Sequence, residues 1–211
     1  MPQSRRYKKK KSAGKAILAW IIVLAILAAA VFVFVSVFYE DTKKKLDEMN
    51  YPRTYSTYVE KAAKDYDLDP ALIYAVIHTE SGFDPNAESG VGAKGVMQMM
   101  PSSFEWLQEQ RGCAGQYTED DLFDPEICID YGSYLLKYFY DYYGTERSAI
   151  AAYNAGFVVS DWLNDTNYSS DGKNLDSIPY PETENYVDKV EGAKEMYINC
   201  LLYTSPSPRD R

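Results

Sequence analysis

Hydrophobic and polar positions along the 211-residue chain change pattern several times. Residues 16–38, "AILAWIIVLAILAAAVFVFVSVF", are apolar without period, with Ser36 as the one polar side chain. Twenty-three residues at ~1.5 Å each make a helix of roughly 34 Å, long enough to cross a bilayer. Residues 39–51 are mixed and charged and read as a short stalk. Helical periodicity then takes over. A helix is expected over residues 54–66, and Asp69-Pro70 opens a second. In "ALIYAVIHTESGFDP", Ile73, Val76 and Ile77 recur at i, i+3 and i+4, and the next position of that series is Glu80. Periodicity thus puts a carboxylate on an apolar face, with His78 on another face beside Ala71, Tyr74 and Ala75. Burying a carboxylate is costly unless it is paired or its pKa rises. Glu80 is therefore a candidate tuned acid.

Further helices follow from local signals. "PSSFEWLQEQ" holds a Ser102-x-x-Glu105 capping box. Asp124-Pro125 starts a helix whose stripe Tyr131, Leu135, Tyr138, Tyr142 ends at Gly144. Thr145 caps "ERSAIAAYNAG", and Pro181 opens a last helix to about Asn199. Residues 164–179 read as a polar loop. No strand run or internal repeat is evident. The expected fold class is all-α, a helical bundle of about 150 residues, large enough to bury a core.

Charge refines the ends. Residues 1–15 carry Arg5, Arg6, Lys8, Lys9, Lys10, Lys11 and Lys15 with no acid, and the rest of the chain holds −16 of a net −9. That acidity excludes nucleic acid as partner of the main domain. A basic segment before an apolar span predicts a cytoplasmic N-terminus, an uncleaved transmembrane anchor at 16–38 and an exported domain at 52–199. The span exceeds the usual ~7–15 residues of a cleaved signal's apolar region, which is the rival reading. Residues 200–211, beginning "CLLYTSPSPRD", break the helical pattern. They are also similar to one reading frame of a transposase adapter used in preparing sequencing libraries, and are expected to be foreign to the natural chain or a disordered tail. Apart from Cys200, the cysteines are Cys113 and Cys128. An exported pair so spaced either forms a disulfide worth ~3 kcal/mol or stays as two free thiols.

Several chemistries are excluded. One histidine rules out an HExxH zinc site. No serine sits in a G-x-S-x-G context, and "SGVGAKG" lacks the end of a phosphate-binding loop. "NYSSDG" begins like a calcium loop but has Ile178 where the twelfth-position Glu belongs, so it reads as a turn. No metal or cofactor is expected. What remains is Glu80 followed by Gly82, Gly90, Gly92 and Gly95, turns that let backbone approach a ligand. Gln98 and Asn154 are polar side chains able to converge with Glu80 on a neutral polymer, with tyrosines as walls for sugar rings. Taken singly, each is equally a capping, turn or core residue.

Together, "ESGFDPNAESGVGAKGVMQMMP", "AAYNAGF" and "YPETENYV" resemble the three motifs of the soluble-lytic-transglycosylase-like domain family, over about residues 54–199. The resemblance implies a lysozyme-like α fold. It also implies cleavage of peptidoglycan glycan strands between N-acetylmuramic acid and N-acetylglucosamine, leaving 1,6-anhydro ends. By motif position it implies that Glu80 is the catalytic acid and that Ser89 lies near the muramyl N-acetyl group. Gln98 and Met100 would contact the glycan, and Tyr153 and Asn154 would line the reacting sugar's site. Glu182 would be a supporting carboxylate and Tyr186 a tyrosine near the acid. Val96 stands where the family usually has Leu. Two alternatives stay open: a hydrolase of goose-type-lysozyme kind using Asp84 or Glu88 to activate water, and a non-catalytic peptidoglycan-binding scaffold.

Overall fold

The structure, a computed structural model, describes residues 11–204. The basic segment before Lys11 and the end of the tail from Ser205 lie outside the described residues. The chain divides into two units, Met1–Met49 and Asn50–Arg211.

The first unit is one helix, α1 (Lys11–Asn50). Within it Ile17–Tyr39 is long and apolar enough to span a membrane, and none of it is buried by protein. Ser36 Oγ donates to Phe32 O at 2.8 Å, so the polar group inside the apolar run is satisfied within the helix. The segment expected as a stalk continues the same helix. "TKKKLDEMN" has no glycine or proline, so nothing stops propagation before Pro52.

The second unit contains α2 (Ser56–Tyr66), α3 (Pro70–Ser81), α4 (Pro101–Gln110), α5 (Pro125–Tyr143), α6 (Glu146–Ala155), α7 (Val159–Asn164) and α8 (Pro181–Thr204), with 3₁₀ turns at Glu119–Phe123 and Gly156–Val158. Among the described residues there is no strand, only isolated bridges pairing Lys94 with Glu88 and with Met99. Helix α3 is the central element, packed on α8 and α2, while α5 packs on α6 and α2. Every residue from Ala71 to Ile77 is buried. The single apolar face expected from periodicity is thus an underestimate, since both faces of α3 are core. Burying Ile73, Val76 and Ile77 contributes on the order of 1.5–3 kcal/mol each. Tyr74 stacks on Tyr197 of α8 at 5.2 Å, and Tyr197 Oη donates to Pro52 O at 3.1 Å, tying α8 to the start of the unit.

Local signals set most boundaries. Asp69 caps α3, accepting from Ala71 N, and Asp124 does the same for α5 from Glu126 N. Thr145 accepts from Ser148 N at the start of α6. The capping box expected at Ser102–Glu105 does not form. Pro101 occupies the first helical position, so Met100 is the N-cap and Ser102 lies inside the helix. A capping box forms instead between Thr118 and Asp121. Helix α8 runs to Thr204, past the expected end at Asn199, because Cys200–Thr204 contains no helix breaker. The stripe on α5 is buried at Tyr131 and Leu135 and emerges at Tyr142. The 165–177 loop is a set of turns in which Asp165, Asp171 and Asp176 accept from backbone N–H groups.

The disulfide weighed for Cys113 and Cys128 is not formed; both thiols are free. Cys128 faces the core and accepts from Met97 N at 3.4 Å. Cys113 lies beside Gln108 O and Tyr131 Oη, at 3.5 and 3.3 Å. Burial pushes the Cys128 thiol up to about 12, so it stays protonated.

Candidate active site

Glu80 occupies the last turn of α3, where the helix leaves the core. Gly82 ends the helix at φ +60°, and its N–H bonds back to His78 O. Ser81 fixes that end: its Oγ donates to Val96 O at 2.8 Å and accepts from Phe83 N at 3.1 Å. The turn carrying Val96 is thereby joined to the residue next to Glu80. The same turn is pressed against the 3₁₀ element by Gly95. A Cβ there would lie 2.0 Å from Leu122 O, at a backbone φ of +74° that side chains rarely adopt. Gln98, at φ +45°, is a non-glycine residue in the left-handed region. Its Nε2 donates to Ala87 O and Gly95 O, both at 3.0 Å, which holds the loop folded. Backbone strain of this type is kept where surrounding contacts enforce it.

Two tyrosines from distant helices close on this corner. Tyr186 Oη of α8 donates to Glu80 Oε1 at 2.7 Å. Tyr153 Oη of α6 donates to Met97 O at 3.0 Å. Both phenols are pushed well above their usual range by burial and by the nearby Glu80 carboxylate, so both remain neutral donors. Glu80 is raised from 4.5 to about 7, chiefly because burial disfavours its charged form; the Tyr186 hydrogen bond opposes that rise. No other carboxylate contributes to the shift.

The remaining expected residues fall into place unevenly. Asn154, at the end of α6, accepts from Thr183 Oγ1 at 2.7 Å. Ser89 Oγ accepts from Ala93 N at 2.9 Å, shaping the loop while keeping its own proton to donate. Met100 is 38% exposed at the start of α4. Glu182 is exposed on the first turn of α8 and plays no part in the shift of Glu80. Thr183, one residue on, is buried and makes the contact to Asn154. Thr183 and Ser81 were missed by sequence reasoning. Each sits inside a quoted motif, but a hydroxyl's partner across the fold leaves no local signal. Asp84 and Glu88 are exposed. Among the described residues, no group of three His, Cys, Asp or Glu side chains is placed to hold a metal ion.

The result is one protonatable carboxyl of near-neutral pKa, held by a phenol and flanked by glycine-rich backbone. Such a group can give a proton and take one back at neutral pH.

Known proteins share the sequence and the fold of this unit. The transglycosylase SLT domain matches residues 57–175. The soluble lytic murein transglycosylase of Escherichia coli K12 is 32% identical over 163 residues, covering 76% of this chain and 25% of that protein. Membrane-bound lytic murein transglycosylase C of Actinobacillus succinogenes is 30% identical over 167 residues, covering 69% and 47%. The chain thus spans about a quarter of the first and about half of the second. The crystal structure of the 70 kDa soluble lytic transglycosylase of Escherichia coli superposes with a TM-score of 0.66 at 27% identity, covering 74% of this chain and 26% of that one. The second unit has the lysozyme-like α fold of that protein, and the chain belongs to the transglycosylase SLT domain family.

Proposed function

We propose that this protein is a membrane-anchored lytic transglycosylase that cuts the β-1,4 bond between N-acetylmuramic acid and N-acetylglucosamine in peptidoglycan. The observation that carries the reading is the Glu80 carboxyl, raised to about 7 and held by Tyr186. Protonated Glu80 donates to the glycosidic oxygen as the bond to C1 breaks. The substrate's N-acetyl group stabilises the cation developing at C1, a departure from the two-carboxylate scheme. Glu80, now a carboxylate, takes the proton of the muramyl C6 hydroxyl, whose oxygen bonds to C1. One bond breaks and one forms, no water is consumed, and the enzyme ends protonated as it began. Gln98 Oε1, the Ser89 hydroxyl and the outer side of Asn154 are the polar groups available to orient the sugars, with Tyr153 walling the site. Glu182 is kept as an outer contact rather than a partner of the acid.

The anchor reading is supported by the unburied Ile17–Tyr39 segment, by the basic residues before it, and by the membrane-bound relatives. A cytoplasmic N-terminus and an extracytoplasmic catalytic unit follow from the positive-inside rule. A reporter fused after Asn199 should then be active only outside the membrane, and a mature form starting near Val31 would overturn the anchor.

The hydrolase alternative requires a second carboxylate near Glu80. Asp84 and Glu88 are exposed and neither affects it, which favours the lyase. Mass spectrometry of peptidoglycan digested by the protein decides between them. Anhydro ends support the proposal, reducing ends make the protein a hydrolase, and no released product makes it a scaffold.

A further inference from the structure

Aromatic rings gather where α4, α5 and the turn after α6 meet. Phe157 is at the centre, its ring 5.3 Å from Phe139, 5.8 Å from Tyr142, 6.2 Å from Tyr138 and 6.3 Å from Trp106, each pair steeply tilted. Trp106 and Tyr138 meet edge to face at 5.0 Å. The group is held from below: Tyr143 Oη lies 3.5 Å from Phe157 O and 3.1 Å from Ser160 Oγ. Packing at the margin of the core accounts for Phe139, which is buried. It does not account for Phe157 and Tyr142, which stay 49% and 59% exposed. A rigid, exposed aromatic cluster is the mark of a recognition surface.

The cluster stands on two elements that lead on from candidate-site residues. Phe157 is three residues past Asn154, and Trp106 is six residues past Met100, about 9 Å along α4. Its neighbours in sequence are acidic: Glu105 and Glu109 on α4, Asp141 beside Tyr142, Asp161 after Ser160. Lys137 is paired with Asp141 at 2.7 Å. Such a rim repels anionic lipid headgroups. An uncharged sugar ring suits it, offering C–H groups to the rings and hydroxyls to phenols and carboxylates.

We propose that Trp106, Tyr138, Tyr142 and Phe157 form a stacking platform for sugars remote from the cut, which holds a long glycan strand in register with Glu80. This rests on the transglycosylase reading and extends it to a preference for long strands.

The test uses the full chain in detergent and peptidoglycan glycans stripped of their peptides and amidated at the lactyl carboxyls, so that they carry no charge, in two classes, long strands and tetrasaccharides. Retention on each is measured in a Glu80→Gln background, after checking that the strands stay uncut, and turnover of peptidoglycan is measured separately with Glu80 intact. Tyr142→Ala should weaken retention of long strands roughly five- to tenfold, with a much smaller effect on tetrasaccharides and no change in melting. Phe157→Leu, which keeps most of the volume, should act in the same direction. Unchanged long-strand retention in both variants overturns the platform, as does an equal loss on both classes. Quenching by brominated lipid in nanodiscs that Tyr142→Ala relieves, or a dimer that it splits, would assign the rings to another occupant and also overturn it. Absence of turnover with intact Glu80 would sink the transglycosylase reading, while retention still decides the platform.

Discussion

Two helices in this molecule are apolar on every side, and they solve that problem differently. In α1, Ile17–Tyr39 is unburied by protein along its whole length. In α3, Ala71–Ile77 is wholly enclosed by neighbouring helices. The first is long enough to use a bilayer as its solvent; the second spans barely two turns and must use protein. Their polar groups differ accordingly. Ser36 in α1 bonds back to its own helix. Glu80, at the end of α3, instead accepts a hydrogen bond from another helix. Apolar sequence alone does not distinguish an anchor from a core helix. Length and the fate of the polar group do.

The comparison breaks most sharply at Glu80. Glu80→Gln keeps shape and burial but cannot give and retake a proton, so turnover on peptidoglycan should fall by ~10²–10⁴-fold or more. Near-wild-type turnover from folded protein would make the buried acid incidental. A paired truncation comes next. Ile77→Ala in α3 should cost ~2–5 kcal/mol of unfolding free energy, because a cavity opens in a closed core. Ile22→Ala in α1 should leave the melting of the second unit unchanged, since Ile22 belongs to the other unit and is exposed. Equal effects would erase the distinction between the helices.

The third effect is a pH dependence whose sign follows from the shift. The folded protein holds the Glu80 proton up to about pH 7, whereas the unfolded chain releases it near 4.5. Between those values the folded state binds more protons. Stability from this group is therefore full below about 4.5 and is lost as pH rises to about 7, on the order of 3 kcal/mol in all. Chemical denaturation across this range should show that slope in wild type relative to Glu80→Gln, and parallel curves would contradict the raised pKa. The smallest effect belongs to Tyr186→Phe. Removing a bond that lowers the Glu80 pKa should move the alkaline fall of activity to higher pH. Turnover should drop about tenfold as the carboxyl loses its orienting donor. An unshifted limb would mean that Tyr186 does not act through Glu80.

What the sequence made legible was whatever one turn of chain decides. Asp69-Pro70, Asp124-Pro125, Thr145 and Gly144 bound their helices because capping is a contact between near neighbours. Ser102–Glu105 misled because Pro101 claims the first helical position and moves the cap to Met100. Periodicity correctly aimed Glu80 at apolar surroundings. It could not reveal that both faces of α3 are enclosed, which depends on α2 and α8 arriving from either side. The pairings Tyr186–Glu80, Thr183–Asn154 and Ser81–Val96 were not legible from residues alone, since each joins segments that only the fold brings together. The motif resemblance named Tyr186 and Asn154, but not Thr183 or Ser81.

Tyr186 stands 106 positions after the carboxyl it touches, on α8. A chain synthesised from its N-terminus therefore carries the acid long before the helix that packs beside it. Without α8, Glu80 would lose part of the burial that raises its pKa, together with the Tyr186 hydrogen bond that opposes the rise. The near-neutral pKa of Glu80 is thus a property of the packed α3–α8 pair rather than of α3 alone.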